Sequence, residues 1–352
     1  KEACARTHAA GKKIYLTLNA YLVPEDFPVL ENFLEELRPL STDAYIVSDP
    51  GLITTVRAMD PQRPLHLSTQ VNTLNAAAAT FWGQYGISRV NLGRELTLAQ
   101  IAAIRKQCAL ELEVFVHGAM CVAYSGRCLL SAALSARSAN RGACAHPCRW
   151  SYALQEETRP GQYFPIEEDG RGTHILNSFD ICLIDHLPAL AAAGVDSLKI
   201  EGRMKSACYT AVVTDVYRHA LDAIAAAPED FTPPAEWREE LEKVSHRPYS
   251  TGFLFTDAGA QIHPASSSYI RSHDFIGVVN DTVGLCVQVR NRFFAGETLE
   301  LVSPGLKRTA FTVENISTLY GERRTVAQPN ELVRINLPPH GGAGDLLRRA
   351  RS

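Results

Sequence analysis

Four of the nine cysteines of this 352-residue chain lie close together, between positions 121 and 148. Cys121, Cys128, Cys144 and Cys148 follow the spacing C-x6-C-x15-C-x3-C. Thiolates are ligands of zinc and of iron–sulfur clusters, and they also serve as nucleophiles. The chain opens without a secretion signal, so a thiol cluster indicates metal binding or catalysis more than disulfides.

The spacing of these cysteines bears on which metal they could hold. Structural zinc sites usually use C-x2-C or C-x4-C knuckles, which are tighter than the first gap here. An iron–sulfur cubane accepts thiolates from separated loops, and four cysteines complete its coordination. We therefore expect an iron–sulfur cluster. Zinc, with His117 or His146 as further ligands, and thiols without a metal are the alternatives.

The remaining cysteines, apart from Cys182, are single and far apart, and we expect them to be buried structural thiols: Cys4, Cys108, Cys208 and Cys286.

Short apolar runs alternate with helical patterns along most of the chain, which is typical of parallel βα units. The predicted strands are 14–19, 44–49, 65–70, 89–95, 112–118 and 197–203, and Thr97 is the predicted N-cap of one intervening helix. No glycine-rich dinucleotide loop follows the first strand, so an open dinucleotide-binding sheet is disfavoured. We predict a TIM-like (β/α) barrel. A closed barrel needs eight strands, and a chain that begins at Lys1 in mid-helix is expected to lack the first two.

Two domains are expected. Residues 1–264 would form the barrel, with a cysteine-bearing insertion at about 119–178, and residues 265–352 a small all-β barrel or sandwich. The C-terminal prediction rests on short alternating strands such as "GLCVQVR" and "ETLELVS".

Polar side chains gather where the predicted strands end, which is the edge where α/β proteins bind ligands. His117 lies at the end of one predicted strand and precedes Cys121 by four positions. In the last strand, alternation would place Lys199, Glu201 and Arg203 on one face. We predict catalytic roles for His117, Glu201 and Arg203 and substrate binding for Lys199, with a buried ion network as the structural alternative. Gln70 and Asn72 could hydrogen-bond a base edge.

The cysteine region is also basic. Positions 114–155 contain no Asp or Glu but include Arg127, Arg137, Arg141 and Arg149. This pattern predicts contact with an anionic substrate, through Arg141 and Arg149 in particular. Tyr124 and Trp150 could stack on a nucleobase, although core packing is the stronger expectation for Trp150.

Composition excludes several classes of protein. A net charge of −3 argues against a protein that coats nucleic acid nonspecifically, because such binding needs many cationic contacts with phosphates. No apolar run is long enough to span a membrane, so a cytoplasmic location is the default expectation.

Several segments resemble, in order, the collagenase-like "unassigned" peptidase family, over residues 11 to about 255. They are "VSDPGLI", "LHLSTQVN", "VFVHGAMCVAYSGRCLLS", "RGACAHPCRWSY" and "AGVDSLKIEGRMKSACY". The chain looks most like the branch of this family that hydroxylates tRNA. The strands of type "LLSPAG" and "ADAVYLG" with which that branch opens do not occur here.

The resemblance implies a barrel fold and an oxygen-sensitive 4Fe-4S cluster. Carried over to this sequence, the ligands would be Cys121, Cys128, Cys144 and Cys148, with Cys182 as an alternative fourth ligand. The implied reaction hydroxylates carbon 5 of the tRNA wobble uridine, with prephenate and not dioxygen as the hydroxyl source. Sister branches hydroxylate ribosomal RNA cytidine or the ubiquinone ring.

Two other functions stay open from the residues alone. The chain has neither an H-E-x-x-H nor a G-x-S-x-G motif, but a cysteine peptidase could pair Cys121 or Cys128 with His117 or His146. An RNA- or metal-binding module without catalysis is the third hypothesis.

Overall fold

The computed structural model describes residues 1–121, 123–124, 126–149, 154–155, 163–164, 167–169, 172–174, 179–227, 231–255, 269–281 and 284–351. The chain divides into two compact units. The N-terminal unit comprises Lys1–Glu201 and Arg247–Ser268, and the C-terminal unit comprises Gly202–His246 and Tyr269–Ser352. Within the described ranges, no helix combines the length and the apolar character needed to cross a bilayer.

The N-terminal unit alternates strands and helices. Its helices are α1 (Glu2–Ala9), α2 (Phe27–Leu37), α3 (Pro50–Met59), α4 (Ala76–Gln84), α5 (Leu98–Gln107), α6 (Leu130–Ser135) and α7 (Leu187–Ala192). Its main strands are β1 (Tyr15–Leu18), β2 (Ala44–Val47), β3 (Leu65–Leu67), β4 (Ile87–Asn91) and β5 (Glu111–Ala119), then β10 (Asp180–Cys182), β11 (Ser197–Ile200) and β12 (Tyr249–Ser250). Two hairpins lie between β5 and β10: β6 (Leu154–Gln155) with β7 (Tyr163–Phe164), and β8 (Glu167–Asp169) with β9 (Gly172–His174).

The main strands form one mixed sheet. Strands β1 to β5 pair in sequence order and all in parallel, and β11 also pairs with β5 in parallel. Strand β10 pairs with β5 antiparallel, and β12 continues the sheet beside β10. Among the strands described, β1 has only β2 as a partner, so the sheet is open. The finding is a mixed α/β unit, and a closed barrel is not confirmed.

All six strands predicted in this unit are confirmed, as is the helix start at Thr97. The Thr97 hydroxyl accepts a hydrogen bond from the Gln100 N–H at 3.3 Å, and Gln100 Oε1 accepts one from the Thr97 N–H at 2.8 Å. This reciprocal cap satisfies two backbone donors that the first helical turn leaves unpaired.

The last predicted strand, 197–203, extends too far at its C-terminal end. Strand β11 ends at Ile200, and residues 203–205 form a turn that leads into the next helix. Glu201 and Arg203 therefore do not continue the alternation of Lys199, and the prediction that all three share one strand face is wrong. The Lys205 N–H bonds the Gly202 carbonyl at 2.9 Å, which closes this turn.

The C-terminal unit joins two helices to an antiparallel β domain. The helices are α8 (Ala207–Ala226) and α9 (Ala235–Glu242). The strands are β13 (His273–Asn280), β14 (Cys286–Val289), β15 (Phe293–Phe294), β16 (Thr298–Ser303), β17 (Lys307–Thr312), β18 (Ile316–Thr318), β19 (Arg323–Arg324), β20 (Val326–Ala327), β21 (Leu332–Ile335) and β22 (Leu346–Ala350). The alternating runs predicted this all-β domain, and their apolar residues, among them Ile276, Val287, Phe293 and Leu301, form its core.

One buried carboxylate links the helices of this unit to its strands. Glu240 of α9 accepts hydrogen bonds from Arg348 Nη2 at 2.7 Å, Arg308 Nε at 2.7 Å and Lys243 Nζ at 2.8 Å. Arg348 is 1% exposed and also bonds Glu300. Burial raises the pKa of Glu240, but the bonds from the three cations outweigh it and lower the pKa to about 2. The charged form is therefore the stable one in the fold.

We expect acid to weaken the C-terminal unit through Glu240. Its pKa is below the ordinary 4.5, so the stabilisation is complete above about pH 4.5 and is lost as the pH falls towards 2. At about 1.36 kcal/mol per pKa unit, this contribution is on the order of 3 kcal/mol. Glu240→Gln should lower the free energy of unfolding at pH 7 and flatten its pH dependence below pH 5, as measured by urea unfolding.

The exposed neighbour Glu239 provides the matched control for this experiment. Glu239→Gln should unfold like the wild type at every pH. A Glu240→Gln variant with the wild-type pH dependence would contradict the role assigned to the buried carboxylate.

Candidate functional site at the strand ends

Polar groups from three neighbouring strands meet at the C-terminal edge of the sheet. The Ser48 hydroxyl is 2.7 Å from the Asn19 carbonyl, to which it donates, and 3.4 Å from Gln70 Oε1. Asn19 Nδ2 donates to the Ser68 hydroxyl at 3.3 Å. The loop after β3 thus places the Gln70 amide beside groups from β1 and β2, as the sequence predicted for this edge.

Asn72 lies one turn further along the same loop. Its φ of 56° is in the left-handed region, which Asn tolerates better than most residues. Its side-chain oxygen is buried and has no hydrogen-bond partner among the described residues. A buried acceptor without a donor is costly, so the Asn72 side chain is one of the least satisfied polar groups of this loop.

His117 lies near the end of β5 and is 1% exposed. Its Nε2 is 3.4 Å from the Tyr249 hydroxyl, and its carbonyl accepts the Glu201 N–H at 2.8 Å. On the other side of β5, its register partner on β10 is Cys182, which is partly exposed. The structure therefore brings His117, the Glu201 backbone, Cys182 and Tyr249 together.

Sequence reasoning missed the pair that positions Tyr249. Arg247 Nε bonds Asp180 Oδ1 at 2.9 Å, and the two side chains are 1% and 0% exposed. The Asp180 N–H also bonds the Pro248 carbonyl at 3.1 Å, which fixes β12 against β10. An Asp inside the apolar run "SFDICLI" is the only signal in the sequence that could have indicated a buried pair.

Lys199 takes part in an interior ion network. Its Nζ is 2.9 Å from Glu113 Oε1, while Glu113 Oε2 accepts from Ser197 at 2.9 Å and lies 3.5 Å from Arg89. Burial raises the pKa of Glu113, but Lys199, Ser197 and Arg89 outweigh burial and lower it. Glu113 precedes His117 by four positions on β5. This ion network therefore lies further from the C-terminal ends of the strands than the site around His117. The geometry supports the structural alternative for Lys199.

The loop that carries the cysteines is held against the strand ends. The Asn140 amide donates to the Cys128 carbonyl at 3.1 Å, and the Asn140 carbonyl accepts the Tyr21 N–H at 3.2 Å. Arg141 donates to the Tyr21 carbonyl at 2.9 Å and forms an ion pair with Asp26 at 3.0 Å. Arg141 thus anchors the loop, and the structure does not place it as a free cation for substrate.

The predicted ligands form no disulfides in the described structure, and they differ in exposure. Cys121 is exposed, whereas Cys128, Cys144 and Cys148 are partly buried. The Cys144 sulfur accepts the His146 N–H at 3.3 Å. In the part of the chain that the structure describes, no three His, Cys, Asp or Glu side chains are arranged as metal ligands. Four cysteine thiols are chemically suited to an iron–sulfur cluster, but the described residues do not bring them together as ligands. The iron–sulfur site therefore stays a prediction.

The other predicted site residues are dispersed. Tyr124 is 59% exposed on the cysteine loop. Arg203 is exposed and belongs to the C-terminal unit. Arg149 ends the short helical turn Pro147–Arg149, and its side chain, like Trp150, lies outside the described residues. The four single cysteines expected to be structural, Cys4, Cys108, Cys208 and Cys286, are all buried, as predicted.

The cysteine peptidase hypothesis requires a thiol paired with a base. Neither the Cys121 nor the Cys128 thiol forms a hydrogen bond with any described residue. The pairing with His117 or His146 that peptide cleavage would need is therefore not formed in this structure.

Gly126 is the residue that allows the cysteine loop to approach the site. A Cβ at this position would lie 1.9 Å from the Gln70 carbonyl oxygen, and its φ is +72°. We expect Gly126→Ala to displace the loop and to accelerate alkylation of Cys128 at least several-fold, measured by mass spectrometry of the labelled protein.

Substitution of Gly11 is the control that distinguishes the steric clash at Gly126 from the effect of a positive φ alone. Its φ of +65° is similar, but a Cβ there would have no neighbour within 4 Å. Gly11→Ala should leave the alkylation rate of Cys128 unchanged. Equal rates in Gly126→Ala and the wild type would show that this contact does not hold the loop.

Residues 1–264 match the family model described as peptidase family U32, and residues 271–348 match the model of the U32 C-terminal domain. The chain belongs to peptidase family U32. The resemblance inferred from its sequence blocks is thereby confirmed.

The relatives support the tRNA-hydroxylation branch of the family. The chain is 38% identical to tRNA hydroxylation protein P of Escherichia coli (strain K12), over 94% of its own length and 82% of that protein. It is 36% identical to tRNA hydroxylation protein P1 of Bacillus subtilis (strain 168), over 97% of its own length and 82% of that protein. The 23S rRNA 5-hydroxycytidine C2501 synthase of E. coli is 37% identical over 68% of this chain and 36% of that protein.

Proposed function

We propose that this protein is an enzyme that hydroxylates RNA, and that its substrate is the wobble uridine of tRNA, converted to 5-hydroxyuridine. The observation that carries the proposal is the match, along nearly the whole chain, to two proteins named for tRNA hydroxylation. The similarity to an rRNA 5-hydroxycytidine synthase fits the same chemistry, since uridine and cytidine are both pyrimidines. A cytoplasmic location, where tRNA is found, is part of the proposal.

The strand-end site offers groups suited to such a base. Gln70 and Asn72 present amides that can pair with the edge of an unstacked pyrimidine, and Asn72 has a buried acceptor to satisfy. His117 and Tyr249 lie within hydrogen-bond reach of each other and can hold or pass a proton beside the base. Glu201 is fixed next to them through its backbone. These residues bind and orient the substrate in our proposal.

The proposal retains a dioxygen-independent reaction with prephenate as the source of the hydroxyl. It also retains a 4Fe-4S cluster on Cys121, Cys128 and Cys144, with Cys148 or Cys182 as the fourth ligand, to supply redox chemistry when bound. Of these two alternatives, Cys182 is a register partner of His117.

The barrel also remains a proposal. Strands β1 to β5 and β11 are parallel, which is the pairing that an arc of a (β/α) barrel requires.

Hydroxylation is tested in cells that lack the gene. We expect 5-hydroxyuridine and its derivatives to disappear from total tRNA nucleosides, as measured by liquid chromatography and mass spectrometry. The wild-type gene should restore them, and Cys128→Ala should not. Cys108→Ala is the matched control, because Cys108 is a buried thiol outside the loop, and it should rescue fully.

Unchanged tRNA nucleosides in the deletion strain would refute the tRNA substrate. Loss of 5-hydroxycytidine from ribosomal RNA in the same cells would instead assign the chain to the rRNA reaction. Rescue by Cys128→Ala would leave no role for the loop thiols in the reaction.

The cluster is tested on protein purified without oxygen. We expect about four iron and four sulfide per chain and absorbance near 400 nm that bleaches on reduction. Cys121→Ala and Cys128→Ala should lose most of the iron, and Cys148→Ala compared with Cys182→Ala should identify the fourth ligand. Cys108→Ala should keep the full iron content.

Zinc in place of iron in the purified wild-type protein would overturn the cluster. Full iron content in Cys128→Ala would also overturn the assigned ligand set.

A further inference from the structure

The C-terminal unit contains an open groove of about 810 Å³. Its walls come from β13, β15, β16, β17 and β22, so it lies entirely within the β domain. This volume falls in the range of small-molecule sites and is sufficient for one nucleotide. The reaction proposed above assigns no role to the groove.

An aromatic ring and a guanidinium form one wall of the groove. Phe294 is 41% exposed, and the Arg292 guanidinium carbon lies 5.4 Å from the centre of its ring. The preceding residue, Phe293, is fully buried in the core. Because successive residues of a strand face opposite sides, burial of Phe293 turns Phe294 outward, and the Arg292 guanidinium packs against its ring.

The acidic residues of the groove are neutralised by neighbouring arginines. Glu297 bonds Arg349 at 2.7 Å, and Asp274 pairs with Arg351 at 2.6 Å. Glu300, the third acid, bonds the buried Arg348 described above. None of the three carboxylates is left as an unpaired negative charge.

Arg292 has no such partner. Its guanidinium forms neither a hydrogen bond nor an ion pair with any residue that the structure describes, and it packs on the Phe294 ring. The groove is lined by three arginines and three acids, and because the buried Arg348 neutralises Glu300 from behind, the charge left without a counter-ion among the described residues is that of Arg292. An anion is the complementary occupant.

We propose that this groove binds an unpaired nucleotide of the RNA substrate, with the base on Phe294 and a phosphate beside Arg292. Aromatic rings and arginines are the side chains on which single-stranded bases stack, and every base offers a ring face. An acidic peptide would satisfy Arg292 but would leave the exposed Phe294 without a planar partner. The inference rests on the proposed RNA substrate and adds a second contact, far along the chain from the strand ends.

The test uses the full-length protein and a fluorescein-labelled single-stranded RNA of about twelve nucleotides, within the usual size of such binding sites. Anisotropy should show that Phe294→Ala weakens binding about tenfold, whereas Phe294→Tyr, which keeps the ring, binds like the wild type. Arg292→Ala should weaken binding several-fold and reduce the slope of log K against log salt by about 0.7.

Lys307 supplies the matched control, because it is an exposed cation of the same unit that does not line the groove. Lys307→Ala should bind within twofold of the wild type. Wild-type affinity in both Phe294→Ala and Arg292→Ala would overturn the proposal. An equal loss in Lys307→Ala, or binding of a polyglutamate peptide in preference to RNA, would overturn it as well.

The same variants separate this inference from the proposed function. If Phe294→Ala binds RNA normally and restores tRNA hydroxylation in the deletion strain, the groove proposal fails and the enzyme proposal stands. If the groove variants lose RNA binding but deletion of the gene leaves tRNA and rRNA nucleosides unchanged, the RNA groove stands and the hydroxylase proposal fails.

Discussion

The N-terminal unit depends on one strand, β5, which pairs with three others. It is buried from Leu112 to Gly118 and carries β4 and β11 in parallel and β10 antiparallel. Three neighbours are possible because β10 pairs only with residues 117–119, beyond residues 111–113, where β4 pairs. His117 pairs with both β10 and β11, so the backbones of residues 182 and 201 lie beside it, and the Tyr249 hydroxyl reaches its ring.

The same strand explains why charged groups can lie inside the sheet. Glu113 is 8% exposed, and an unpaired carboxylate there would be very costly. Lys199 and Arg89 come from the strands on either side of β5 and supply the compensating charge. The neighbouring His66 is neutral at pH 7, because burial lowers its pKa to about 4. The interior polar network therefore requires both parallel neighbours of β5, since each contributes one of the two cations.

Local patterns in the sequence predicted most of the fold. Apolar strand runs, the Thr97 cap and the isolated buried cysteines depend on residues close in the chain, and all are confirmed. Strands β10 and β12 were missed because three and two residues are too few to show an alternation. The end of β11 was misplaced because nothing in "KIEGR" except Gly202 indicates the bend. The cysteine spacing identified chemically suitable ligands, but distances between loops are set by contacts such as Gly126 against Gln70, which no spacing encodes.

The Asp180–Arg247 pair has a consequence for how the protein is made. Its members are separated by 67 positions, and β10 has no β12 beside it until the second member emerges. At roughly 5–20 residues per second, a ribosome takes about 3–13 seconds to add that stretch. During this interval the β10 edge is unpaired and Asp180 remains hydrated. The strand-end site is thus completed late in synthesis, after the parallel strands that support it have had time to fold.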